Sequence, residues 1–94
     1  MIKVMVDRTT SDVDRMTPFL LELRAAAMQN PGYVSGETLV NGENPHNVIT
    51  ISTWSDIDDW YAWETSPERA KIYDKIGPIA GSVSIRRFNV VATD

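Results

Sequence analysis

Cysteine is absent from the 94 residues of this chain, and histidine occurs once, at His46. The first absence excludes disulfides, thiolate metal sites, iron–sulfur clusters and a cysteine nucleophile. The second excludes a multi-histidine zinc or di-iron site within one chain. Basic residues are also scarce: nine Lys and Arg stand against thirteen Asp and Glu, for a net charge of −4. A nucleic-acid surface needs clustered cations. The only adjacent basic pair, Arg86-Arg87, would point to opposite faces of a strand. No apolar run approaches a membrane span. The opening MIKVMVDRTT reads as a strand and lacks the layout of a signal peptide, so a cytoplasmic protein is expected. One domain over residues 1–94 buries only a modest fraction of its surface, and oligomerisation is the remaining aid to stability.

What the chain does have is a concentration of tryptophan. Trp54, Trp60 and Trp63 are its only tryptophans, and they fall within ten positions. Around them the periodicity is legible. Ile2 to Arg8 reads as a first strand. Ser11 with Asp14 fits a capping box, and Val13, Met16, Phe19, Leu20, Leu23, Ala26 and Ala27 then recur at helical steps. Pro18 either kinks this helix or opens a main helix capped by Thr17; one kinked helix ending near Gln29 is favoured. Asn30-Pro31-Gly32 stops it. Tyr33 to Asn41 is a second strand, with Gly36 as a bulge or point of close approach. A hairpin loop over residues 42–47 leads to a third strand, Val48 to Trp54. Ser55 with Asp58 makes a second capping box before a helix through Trp60 and Glu64. Thr65-Ser66-Pro67 interrupts that helix, Ile72, Tyr73 and Ile76 continue it, and Gly81 to Val91 is the last strand.

The order βαββαβ predicts a ferredoxin-like α+β sandwich, an antiparallel sheet with its helices on one face. Alternation predicts one sheet face bearing Ile2, Val4, Val6, Ile49 and Ile51, and another bearing Lys3, Met5, Asp7, Thr50, Ser52 and Trp54. The apolar set is expected to pack against a second copy, giving a homodimer through the sheet face. The mixed set is expected to line a cavity beneath the helices.

At PGYVSGET, STW and WYAWETSPER the chain resembles the antibiotic-biosynthesis monooxygenase-like family, whose members are small dimeric α/β-barrel proteins. The resemblance runs nearly end to end. Its quinone-forming branch oxidises polycyclic anthrones with O2 and without metal or flavin. That branch has a tryptophan where Trp54 stands, a tyrosine at Trp60 and an arginine at about Tyr73. The heme-degrading branch has an asparagine at Asp7, a tryptophan matching Trp63 and an axial histidine at about Tyr73. The aromatic walls of both branches are therefore kept, and the charged or ligating residue opposite them is Tyr73.

The resemblance implies a cofactor-independent monooxygenase acting on a small aromatic or quinol-type substrate with O2, with no metal. The alternatives are a non-catalytic small hydrophobic-ligand-binding or stress-response module and, after it, heme binding or degradation. Such an oxygenase needs a base and a donor for the developing oxyanion. Asp7 is the candidate base and Tyr73 the candidate donor. Asp7 has a plainer alternative, an ion pair with Arg8, Arg86 or Arg87. Trp54, Trp60 and Trp63 are candidate substrate walls or core, and Thr50 and Ser52 candidate hydrogen-bonding groups for a ligand carbonyl.

Overall fold

Alternation along the first strand decides which side of the sheet is covered. In the computed structural model, which describes residues 1–93, β1 (Ile2–Thr10) buries Ile2, Val4, Val6, Arg8 and Thr10 and turns Lys3, Met5, Asp7 and Thr9 the other way. Helix α1 (Val13–Ala27) lays Met16, Leu20, Leu23 and Ala27 on that buried side. It runs unbroken through Pro18, and Thr17 Oγ1 donates to the Val13 carbonyl one turn back. Its cap is Asp12, whose carboxylate accepts from Arg15 N, rather than the expected Ser11.

β2 (Tyr33–Val40) and β3 (Asn47–Trp54) form a hairpin. Its loop is tied by Asn41, whose side-chain oxygen accepts from the backbone N–H groups of Glu43 and Asn44. The second helical region is two helices, α2 (Ile57–Glu64) and α3 (Pro67–Ile76). Asp56 caps α2 where Ser55 was expected, and Ser66 caps α3 with Pro67 in its first turn. A short 3-10 turn, Gly77–Ile79, leads into β4 (Ala80–Asn89).

The strands pair antiparallel throughout in the order β2-β3-β1-β4. This is the ferredoxin-like α+β arrangement expected, with the sheet open and not closed into a barrel. Val4, Val6, Met16, Leu20, Trp54, Trp60, Ile72 and Ile76 meet in the core between sheet and helices. Among the described residues no helix is long and apolar enough to cross a membrane.

The register corrects the expected faces. Ile2 lies opposite Trp54, Val4 opposite Ser52 and Val6 opposite Thr50. Directly opposed residues in an antiparallel pair share a face. The apolar β1 set therefore lies with Trp54, Ser52 and Thr50 under the helices. Ile49 and Ile51 share the uncovered face with Met5 and Asp7, beside Leu39 of β2 and Phe88 of β4. Pairing the two most apolar alternations with each other fails because β3 sends its small polar residues inward, beneath the bulky side chains of α1 and α2.

Candidate active site between sheet and helices

The tryptophans cluster as expected, and each is deeply buried. Trp54 is 0% exposed, Trp60 2% and Trp63 4%. Trp54 meets Trp60 edge to face at 5.9 Å between ring centroids, and Tyr33 meets Trp54 at 5.3 Å. Trp54 Nε1 donates to Ser52 Oγ at 2.9 Å, whereas the buried Nε1 of Trp60 has no partner. Tyr33 reaches this cluster because Gly36 leaves room for it: a Cβ there would lie 2.5 Å from the Tyr33 hydroxyl.

These rings wall a cavity of about 40 Å³, completed by Leu20, Leu23, Thr50, Ser52, Arg8 and Arg69, with Arg24 also on its lining. A water needs roughly 10–15 Å³ of such space, so the cavity admits about three waters or a dioxygen molecule. Pockets for drug-sized ligands run to about 300 Å³ or more. An aromatic substrate enters only if lining side chains move, and the exposed Arg24 is a long lining side chain without a hydrogen bond among the described residues.

Arg8 is the residue the sequence reading passes over. Only 5% exposed, it donates through Nε and Nη2 to the Tyr73 hydroxyl at 2.9 and 2.7 Å, and through Nη1 to Thr50 Oγ1 at 2.8 Å. Arg69 of α3 approaches the same hydroxyl at 3.4 Å and stacks on the Tyr73 ring at 4.5 Å. Its guanidinium also lies 5.9 Å from the Trp60 ring centroid. Burial pushes the Arg69 pKa below its ordinary value; Tyr73 opposes the shift and the neighbouring Arg8 adds to it. Tyr73 thus holds two guanidinium groups at the cavity and lies behind them rather than on its wall. Continuing the alternation Ile2, Val4, Val6 by one step reaches Arg8, which is the signal that finds it.

The other expected positions are placed as follows. Thr50 and Ser52 line the cavity, but each hydroxyl already accepts a neighbour, Arg8 or Trp54. Asp7 is not with them. It lies on the uncovered sheet face, where Oδ1 accepts from Asn47 Nδ2 at 2.6 Å, so neither the catalytic placement nor the arginine ion pair is what the structure shows. The His46 ring Nδ1 lies 2.9 Å from the Thr10 carbonyl oxygen, in the hairpin loop. Glu22, on the surface, pairs with Lys75 at 2.7 Å.

Comparison with known proteins adds the family. A search of curated proteins finds no sequence match. Among solved structures, SnoaB from Streptomyces nogalater, a cofactor-independent oxygenase, is 14% identical with a TM-score of 0.88, covering 98% of this chain and 94% of its own. A Pseudomonas aeruginosa protein (13% identical, TM-score 0.85, 97% and 94% covered) and a conserved Methanosarcina mazei protein (14%, 0.83, 93% and 89%) are similar too. At such identities the likeness establishes the fold. The family model for antibiotic biosynthesis monooxygenase matches residues 14–75, well over half the chain. That stretch carries both halves of the tryptophan-walled cavity, α1 above and β3 with α2 and α3 around it, and the chain belongs to the antibiotic biosynthesis monooxygenase family.

Proposed function

We propose that the protein is a cofactor-independent monooxygenase of the cytoplasm that oxidises a small aromatic or quinol-type substrate with O2. One observation carries this reading: two guanidinium groups, held by one tyrosine, face an apolar cavity walled by three tryptophans. A substrate oxygen placed against Arg8 and Arg69 ionises more readily, because opposite charge favours its anionic form. The resulting electron-rich anion passes an electron to O2, and the radical pair combines at a ring carbon. Loss of water leaves a carbonyl, so that a CH2 group and O2 become C=O and H2O. Arg8 and Arg69 stabilise the oxyanion, Tyr73 orients them, and Trp54, Trp60 and Trp63 flank the ring. Asp7 has no part in this step from its side of the sheet.

Oxygen uptake with anthrones, whose CH2 group the step converts to C=O, tests the reading. One O2 consumed per carbonyl formed is expected. Replacing Arg69 by Gln is expected to lower kcat by about a hundred- to a thousandfold, in line with the loss of one oxyanion donor. Asp7→Asn is expected to stay within about twofold of the native rate. A native rate indistinguishable from buffer, or an Asp7→Asn protein as inactive as Arg69→Gln, overturns it.

The small volume of the cavity favours a second reading, a module that holds a small ligand without turning it over. Saturable binding with no oxygen uptake distinguishes it. Under either reading we infer that a second copy covers the open face of the sheet. Met5, Leu39, Ile49, Ile51 and Phe88 there alternate with Lys3, Asp7, Glu37 and Arg86, which gives a two-fold contact both apolar area and opposite charges.

A further inference from the structure

Arg8 and Arg69 face the cavity, and neither forms an ion pair among the described residues, although Glu37 also lies on the lining. Among the described residues the ion pairs are Lys75 with Glu22 and Arg87 with Glu64. Both carboxylate oxygens of Glu64 take Arg87, at 3.2 and 3.0 Å, and Arg69 reaches only the Glu64 backbone carbonyl, at 3.4 Å. The partners of Arg8 are two neutral hydroxyls, and it uses three of its five N–H donors on them. A buried charge without a counter-charge is costly. Here Arg8 is such a charge, and the half-buried Arg69 lies beside it, with Glu64 acting on Arg69 without pairing to it.

The Trp60 Nε1–H is a third unmet demand. It belongs to a residue 2% exposed, on the lining of the same cavity, and has no acceptor. Three arginines, Arg8, Arg24 and Arg69, and one neutral donor thus line a space whose one acidic residue, the exposed Glu37, pairs with none of them among the described residues. An inorganic anion would satisfy the charges and leave the apolar walls of Leu20, Leu23, Trp54 and Trp63 unused. A planar organic acid satisfies both. Its carboxylate matches the fork of a guanidinium, and its ring matches the walls.

We propose that the cavity takes its ligand as an organic anion, an aromatic carboxylate whose charged oxygens are received by Arg8 and Arg69 and whose ring lies among the tryptophans. This deepens the functional reading above and rests on the same cavity. It assigns the two arginines to ligand charge, whatever chemistry follows.

The test is a nuclear magnetic resonance titration of the isotope-labelled full chain at about pH 7, following its three tryptophan indole N–H signals. The Trp60→Phe protein identifies the Trp60 signal. Benzoate, its neutral isostere benzamide and inorganic phosphate are the probes. Benzoate is expected to shift the Trp60 signal and to bind about tenfold or more tightly than benzamide, as a charge-assisted pair gives. Phosphate is expected not to displace it. Arg69→Gln, at a half-buried position, and Arg8→Gln are each expected to shrink the preference several-fold while leaving benzamide within about twofold. Equal binding of acid and amide overturns the proposal, as does no binding of either, displacement by phosphate at equal concentration, or a preference that survives in both variants. Oxygen uptake is a separate readout. A protein that binds benzoate yet oxidises nothing removes the oxygenase reading alone, and an active oxygenase indifferent to benzoate removes this one alone.

Discussion

Strand parity groups Arg8 with Ile2, Val4 and Val6, counting by twos, and the pairing of β1 with β3 puts that group on the helix-covered side. The same parity leaves Asp7 outside. The tryptophan cluster was legible in the sequence because three large rings in ten positions have few places to go in so small a chain. The cavity's charge was not, because it depends on which of two neighbouring residues, Asp7 or Arg8, faces inward. That choice is set by cross-strand register, to which a single strand's pattern is blind. The unequal indole partners of Trp54 and Trp60 give a measurable contrast. Trp54→Phe leaves Ser52 Oγ without its donor and is expected to cost about 1–3 kcal/mol in denaturant unfolding. Trp60→Phe removes an unpartnered N–H along with some ring volume, and these offset to under about 1 kcal/mol. Equal losses in the two variants would show that the unpartnered N–H carries no cost.

At the scale of elements, the hairpin owes its place against the tryptophans to one missing side chain. Gly36 sits under the Tyr33 hydroxyl, and its backbone is ordinary extended strand, so it is space and not conformation that requires glycine. Gly36→Ala is expected to destabilise the protein by about 1–3 kcal/mol, as overpacking does. In a Tyr33→Phe background most of that cost is expected to vanish, since the offending oxygen is gone. A cost undiminished in the double variant would place the strain at the Ile51 carbonyl, 3.2 Å away, instead. The sequence marks Gly36 as a point of close approach. It does not say what approaches, because Tyr33 is only three residues away and the bulge between Tyr33 and Ser35 is what swings its ring back over the strand. Helix boundaries were readable to within a residue or two, whereas the caps fell one residue later than the serines that signal them, on Asp12 and Asp56.

For the molecule as a whole, the helices cover one face of the sheet and leave the other with Ile49, Ile51 and Met5 partly buried only by one another. A second copy seated there accounts for both the apolar residues and the balanced charges. Sedimentation at micromolar concentration is expected to give a dimer, and Ile51→Lys a folded monomer, because a charge at the centre of the patch is desolvated on association. A native monomer at that concentration would leave the exposed face without an explanation. The cavity lies on the opposite side of the sheet, so Ile51→Lys is also expected to keep its affinity for benzoate within about twofold.

The place of β1 in the sheet has a bearing on how the chain comes into being. Of the four strands the first in chain order is an inner strand, flanked by β3 on one side and by β4, the last of the four, on the other. Ile2 finds its partners at Trp54 and Asn89, so neither neighbour exists while β1 is emerging. The nascent β1, with Ile2, Val4 and Val6 on one side, must wait for β3 and then β4 before its hydrogen bonds are filled. Pairings that span such distances are slow to form, on the order of milliseconds to seconds. The arginine that reaches the cavity first in synthesis is therefore fixed in place among the last, when the strands on both sides of it have closed.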